Sequence, residues 1–248
     1  TREAMNQRIL LCTILLLTLS ACLKEELPVP MHERGEAISV QACMGPGYQD
    51  QLWLDIRSGT VVSSNPKTAW DLAFESAADG WRIYLNGAKL MTAWNLGAVD
   101  ISAAHDTTGM AANKRIDAPS GDRDSTAIGD WRAGTDVYLL DLGVDGFGVP
   151  QGLRKVRFVS VTASAFTFNL GALDGSGLDT ITVQKDPTRS FTSYEFGTGV
   201  VPIEPVRGTW DLVLTQYTHQ FYEPFLPYIV TGILAAPTTR TAVIPNAD

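Results

Sequence analysis

The chain has 248 residues, 45% of them apolar, and carries 27 acidic against 19 basic side chains for a net charge of −8. That length suits one large all-β domain, and the acidic balance argues against nucleic acid as a partner, because phosphate binding needs clustered Lys and Arg. Three cysteines supply no disulfide framework, so the fold has to rest on packing.

Met5 reads as the initiator of an export signal over residues 1–21. Arg8 supplies a positive start, and Ile9 to Leu19 is apolar apart from Cys12, Thr13 and Thr18. A run that short does not comfortably span a bilayer, which needs about 20 apolar residues. It ends in Leu19-Ser20-Ala21-Cys22, which resembles a bacterial lipobox, so Cys22 is expected to be the lipidated first residue of the mature chain. Leu23 follows it rather than Asp, which fits sorting to the outer membrane and an anchored, surface-exposed protein. Removal of residues 1–21 takes away Arg2, Arg8 and Glu3 and leaves a net charge of −9. Residues 22–36, polar and containing Pro28 and Pro30, read as a tether. Cys43 is then an odd thiol, expected to be a small buried hydrophobe rather than a thiolate ligand.

Beyond the tether, residues 37–43 are read as a first strand and Gln51–Ile56 as a second, with Trp53 and Asp55 opposite Leu52, Leu54 and Ile56. Trp70, Leu72 and Phe74 alternate with Asp71, Ala73 and Glu75, the period of a strand with one buried face. Ser76–Gly80 is hairpin-length, and Trp81, Ile83 and Leu85 resume the alternation. Residues 88–120, rich in Ala, Gly, Asn and Thr, read as a long surface excursion with a short helical piece. Residues 124–132 are expected to form one or two helical turns. Strand signals return over Val137–Leu142, Arg154–Ala163, Ala165–Leu170, Asp179–Gln184, Phe191–Phe196, Ile229–Leu234 and Thr241–Ile244, punctuated by Gly/Asp turns at 143–146 and 174–177. The expected fold is all-β: an antiparallel, sandwich-like single domain over 37–248 with few short helices.

One pattern recurs. Trp70-Asp71-Leu72-Ala73-Phe74 returns as Trp210-Asp211-Leu212-Val213-Leu214 at an offset of 140 residues, and Leu54–Val62 overlies Tyr194–Pro202 at the same offset. With a small slip, Ile83–Gly87 is set over Tyr228–Gly232. Residues 52–90 and 192–236 thus read as two related strand units, too few for a solenoid or propeller. Trp70 and Trp210 are expected in equivalent buried positions. Asp71 and Asp211 are expected to accept backbone N–H groups of a neighbouring turn.

These motifs carry a resemblance. Trp70–Phe74 after the Ser58-Gly59-Thr60-Val61-Val62 turn, Tyr138–Leu142 leading to Lys155–Val161, and Trp210–Tyr217 with Pro227–Leu234 resemble the HmuY-like lipoproteins of Bacteroidota. The resemblance implies a β-rich outer-membrane lipoprotein that captures haem for iron acquisition. Its implied partners are haem or a haem-carrying protein and an outer-membrane transporter. Haem iron in such proteins is held by His or Met side chains.

The ligand types available to the mature chain are His32, His105, His219, Met31, Met44, Met91, Met110 and Cys43. None of the residues from 111 to 218 is His, Met or Cys. His219, inside Tyr217-Thr218-His219-Gln220-Phe221, is the first axial candidate, and His105 or Met110 from the excursion is the second. Met31 and His32 lie in the tether. Asp122-Arg123-Asp124-Ser125-Thr126 begins like a calcium loop, but Ala127 stands where its Gly belongs. Neither a Gly-x-Ser-x-Gly elbow nor an HExxH or CxxC motif is present, so an enzyme is not expected. The alternative to haem capture is a lipid-anchored β-sandwich module of the same fold that binds another ligand or a partner protein.

Overall fold

The computed structural model describes residues 39–223 and 225–237. The signal, Cys22, the tether with Met31 and His32, and the strand expected at 241–244 lie outside the described residues. The architecture is all-β, with three antiparallel sheets and almost no helix. Sheet A has the order β13(Phe225–Ala235), β12(Leu212–Tyr222), β1(Asp50–Asp55), β2(Thr60–Pro66). Sheet B has the order β11(Gly199–Val201), β10(Phe191–Glu195), β3(Leu72–Glu75), β4(Ile83–Leu85). Sheet C runs β5(Thr92–Asn95), β6(Tyr138–Asp141), β7(Leu153–Val161), β8(Ala165–Gly171), β9(Asp179–Gln184).

Sheets B and C form the sandwich. Leu72, Phe74, Ile83, Leu85 and Tyr194 of sheet B pack with Tyr138, Leu140, Val156, Phe158, Phe166, Phe168 and Val183 of sheet C in one cluster. Phe74 lies against Phe166 at 4.9 Å and Phe168 at 5.8 Å between ring centroids, and Tyr194 meets Phe168 edge-on at 5.5 Å. Such pairs add about 0.5–1.5 kcal/mol each beyond the area they bury. Sheet A has its own apolar contacts on both faces. Trp53 and Val213 join Trp210, Ile203 and Ala236 on one, while Leu52 and Leu54 meet Met44 on the other.

The two related stretches are interleaved. Hairpin β1–β2 belongs to the first stretch, yet in sheet A it pairs with β12–β13 of the second. Hairpin β10–β11 of the second stretch pairs in sheet B with β3–β4 of the first. The registers correspond residue for residue: Leu54 opposes Leu212 where Tyr194 opposes Leu72, and Leu52 opposes Leu214 where Thr192 opposes Phe74. The slip adopted for the last strand needs correction. Opposite Leu72 and Phe74 stand Leu85 and Ile83, and opposite Leu212 and Leu214 stand Ala235 and Ile233. Residues 83–85 therefore correspond to 233–235, not to 228–230. The β12–β13 hairpin is longer than β3–β4, and its tip runs beyond the β1 pairing, which ends at Leu52.

Other expectations also differ from the structure. Residues 39–43 form no strand, and Cys43 is exposed. Residues 124–132 contain turns but no helix: Asp124 is drawn to Arg82, Thr126 Oγ1 accepts locally from Gly129 N–H at 3.0 Å, and Gly129 at φ +66° leaves the right-handed helical region. The excursion supplies a strand, β5, as well as a 3-10 turn at Gly87–Lys89 and the single helical turn α1(Met110–Asn113).

Candidate binding site

The elements that hold the candidate residues are set by the repeated Asp. Asp71 N–H donates to Tyr194 O and Asp211 N–H to Leu54 O, both at 2.8 Å. The Asp71 carboxylate accepts from Phe196 N–H at 2.7 Å, and that of Asp211 accepts from Ile56 N–H at 3.0 Å. Phe196 and Ile56 each open the turn of the hairpin contributed by the other stretch. Each Asp therefore locks a crossover strand to the neighbouring hairpin. The two sites differ in one respect: Asp71 is also paired with the buried ammonium of Lys89.

The tryptophans beside them are less alike. Each stands two residues before its strand, outside it. Trp210 is 4% exposed and meets Trp53 edge-on at 4.5 Å, whereas Trp70 is half-buried at the margin of the same cluster. The expected equivalence of burial is thus corrected. Trp70 belongs to the crossover from sheet A to sheet B, where the Asn86 amide donates to Lys67 O and Trp70 O at 2.8 Å each.

Correct register carries His219 onto the long hairpin, directly opposite Tyr228. Period 2 places Tyr217, His219 and Phe221 on one face with their partners Val230, Tyr228 and Leu226. The His219 ring sits 5.3 Å from Tyr228 and 6.1 Å from Phe221, both edge-on, and Phe221 and Tyr228 stack at 4.7 Å. Tyr217 lies over Gly232, where a Cβ would come within 2.8 Å of its ring. Phe221 and Leu226 are about half exposed, at 51% and 53%. The opposite face is engaged: Thr218 Oγ1 donates to Gly87 O at 2.6 Å, and Thr218 and Gln220 are buried. Among the described residues, neither ring nitrogen of His219 has a hydrogen-bond partner, so the imidazole is uncommitted.

The other two axial candidates are held elsewhere. His105 backbone N–H donates to Leu173 O at 2.9 Å beside the β8–β9 turn, and its Nδ1 lies 3.0 Å from Ala103 O in its own loop. Met110 is 7% exposed in α1, next to β5. No ring contact or hydrogen bond joins either of them to His219. Among the described residues there is no cluster of three or more His, Cys, Asp or Glu placed to hold a metal ion. Met44 and Met91 are core side chains.

Two buried charged groups lie away from the hairpin. Glu75 is buried at the end of β3. Burial opposes its charge, yet the Arg123 guanidinium at 2.6 Å and the N–H groups of Trp81 and Arg82 hold its carboxyl below the usual range. Lys185, depressed by burial, donates to Ala77 O and Gly80 O at 2.8 and 2.6 Å and lies 4.9 Å above the Phe166 ring. Each is a pillar under the 76–82 loop. No helix is long and apolar enough to cross a membrane among the described residues. Comparison of the chain with protein-family models, curated proteins and solved structures returned no match in any of the three.

Proposed function

We propose that the chain is a non-catalytic, lipid-anchored binding module of the outer membrane that captures haem on the aromatic face of the β12–β13 hairpin. The observation that carries this reading is His219: an imidazole without a hydrogen-bond partner among the described residues, flanked by Phe221 and Tyr228 on a hairpin that extends past its sheet. Haem needs an imidazole or sulfur donor and apolar surface for its ring, and this face offers one donor and several aromatic or aliphatic side chains. The residues fit one axial position. His105 and Met110, placed at other ends of the molecule's loops, are not the second donor in this arrangement. The described hairpin has no Lys or Arg, so the propionates would remain in water. When bound, haem would supply iron as cargo. The chain's own part is to present an imidazole and an apolar seat.

A second reading rests on the same face. Phe221 and Leu226 are half exposed on the same face, which also suits docking of a partner protein such as a haem carrier or a transporter. Titration with hemin separates the two. The expected result is a Soret band of imidazole-ligated haem that is lost in His219→Ala and kept in His105→Ala and Met110→Leu. An unchanged hemin spectrum in both redox states leaves the protein-docking reading in its place.

A further inference from the structure

We propose that the outer face of sheet C carries a second binding site, independent of the hairpin, for a small monocarboxylate with an apolar body. A depression of about 430 Å³ opens there, lined by Ile101, Arg157, Asn169, Leu178, Asp179 and Thr180. Its size is within the range of small-molecule sites, roughly 300–1,000 Å³.

The floor is a cross-strand relay. Arg157 opposes Asn169, and Asn169 opposes Thr180, so three polar side chains from β7, β8 and β9 stand in one row on one face. The Arg157 guanidinium donates to Asn169 Oδ1 through Nη2 at 3.1 Å, and Asn169 Nδ2 donates to Thr180 Oγ1 at 2.8 Å. The relay runs in one direction, which leaves donors at both ends. Arg157 Nη1 has no protein partner among the described residues. The Thr180 hydroxyl, already accepting from the amide, keeps its own proton to give. The guanidinium end selects a carboxylate, whose planar oxygens match its fork, and the Thr180 hydroxyl adds a second polar donor at the other end of the row.

Among the described residues the neighbouring acids make no ion pair with Arg157, although its charge helps hold the Asp100 carboxyl below the usual range after the Ser102 bonds. Asp100 Oδ1 accepts from Ser102 N–H and Oγ at 2.9 and 2.8 Å, and Asp174 Oδ1 does the same for Ser176 at 2.9 and 2.6 Å. Asp179 Oδ1 accepts from Thr180 N–H at 2.7 Å. Their charge around the rim disfavours phosphate or a dianion, so a single carboxylate is the fitting ligand. Ile101 and Leu178 supply the apolar wall. The Ile101 loop is fixed in place, because Gly175 (φ +88°) lets the β8–β9 turn come so close that a Cβ would lie 2.0 Å from Ser102 O. Buried Lys155 also holds that loop, donating to Ala103 O.

The test is NMR titration of the full-length protein with benzoate, with benzamide and inorganic phosphate as controls. The expected result is saturable benzoate binding that shifts the Thr180 amide and the Arg157 Nε–H, with no saturation by benzamide or phosphate. Arg157→Gln should weaken benzoate at least about tenfold, in line with loss of a charge-assisted bond. The exposed Thr180→Val change, which leaves the core untouched, should weaken it by about two- to fivefold. Equal binding of benzamide, equal binding of phosphate, or no saturation by benzoate would each overturn the proposal.

Discussion

Asp71 and Asp211 carry the same pair of bonds from opposite halves of the chain. Each gives its N–H to a strand carbonyl, Tyr194 O or Leu54 O, and each receives the first N–H of the adjoining turn, Phe196 or Ile56. The geometry explains why a carboxylate follows each Trp: the short side chain reaches across the crossover to a donor that no strand partner satisfies. It also places the sequence repeat in three dimensions, since these bonds join one stretch to the hairpin of the other.

The two should respond unequally to truncation. Asp211→Ala removes an acceptor from one partly exposed N–H and should cost about 1–2 kcal/mol. Asp71→Ala also strands the Lys89 ammonium, whose side chain is only 7% exposed, and should cost about 3–5 kcal/mol. Urea unfolding of the two variants checks this. Equal losses would remove the role given to Lys89.

The tryptophans give a parallel test with a different cause. Trp210→Ala empties a buried site against Trp53 and should cost about 3–5 kcal/mol. Trp70→Ala removes a half-buried ring whose Nε1 has no partner among the described residues, and about 1–3 kcal/mol is expected. Thermal unfolding that ranks Trp70 above Trp210 would contradict the burial difference seen here.

How far these features could be read from the sequence depends on whether they are local. Alternation marked β3, β4 and β6 to β10 because each has one face in the shared core of sheets B and C. β5 escaped notice: Thr92-Ala93-Trp94-Asn95 is four residues long and lies among Ala, Gly, Asn and Thr that look like loop. In sequence Trp70 continues the alternation of Leu72 and Phe74, but its backbone crosses between sheets under the Asn86 amide. The repeat showed that two stretches are alike but not that their hairpins are exchanged, because similarity carries no information on pairing. His219 stood out through its aromatic neighbours in sequence. The Arg157–Asn169–Thr180 row did not, since only register across three strands brings it together.

The N-terminal reading has its own test, on residues outside those described. Protein extracted from membranes should begin at Cys22 and carry a lipid-modified thiol, as Leu19-Ser20-Ala21-Cys22 implies. Intact-mass and peptide mass spectrometry decide it. A mature chain starting at another residue, or an unmodified Cys22, would remove the anchor from the proposal.

The last prediction concerns pH. Asp117 accepts from Leu85 N–H and Ala127 N–H at 2.7 Å each, tying the excursion to the edge of β4, and among the described residues no cation forms an ion pair with it. Burial pushes its carboxyl up from an ordinary 3.8 to about 6, against the pull of the two donors. A carboxyl whose folded-state pKa is raised favours folding fully below pH 3.8. That contribution is lost as pH rises through about 6. A shift of this size corresponds to about 3 kcal/mol as an upper estimate. Glu204, also raised by burial, acts in the same sense, while Glu75, lowered by its Arg123 contact in spite of burial, acts in the opposite sense. The difference between wild type and Asp117→Asn isolates the one group. The amide keeps one acceptor and carries no charge, so its deficit should be largest at pH 4 and shrink by pH 7. Stability curves that stay parallel across that interval would show that Asp117 does not titrate there.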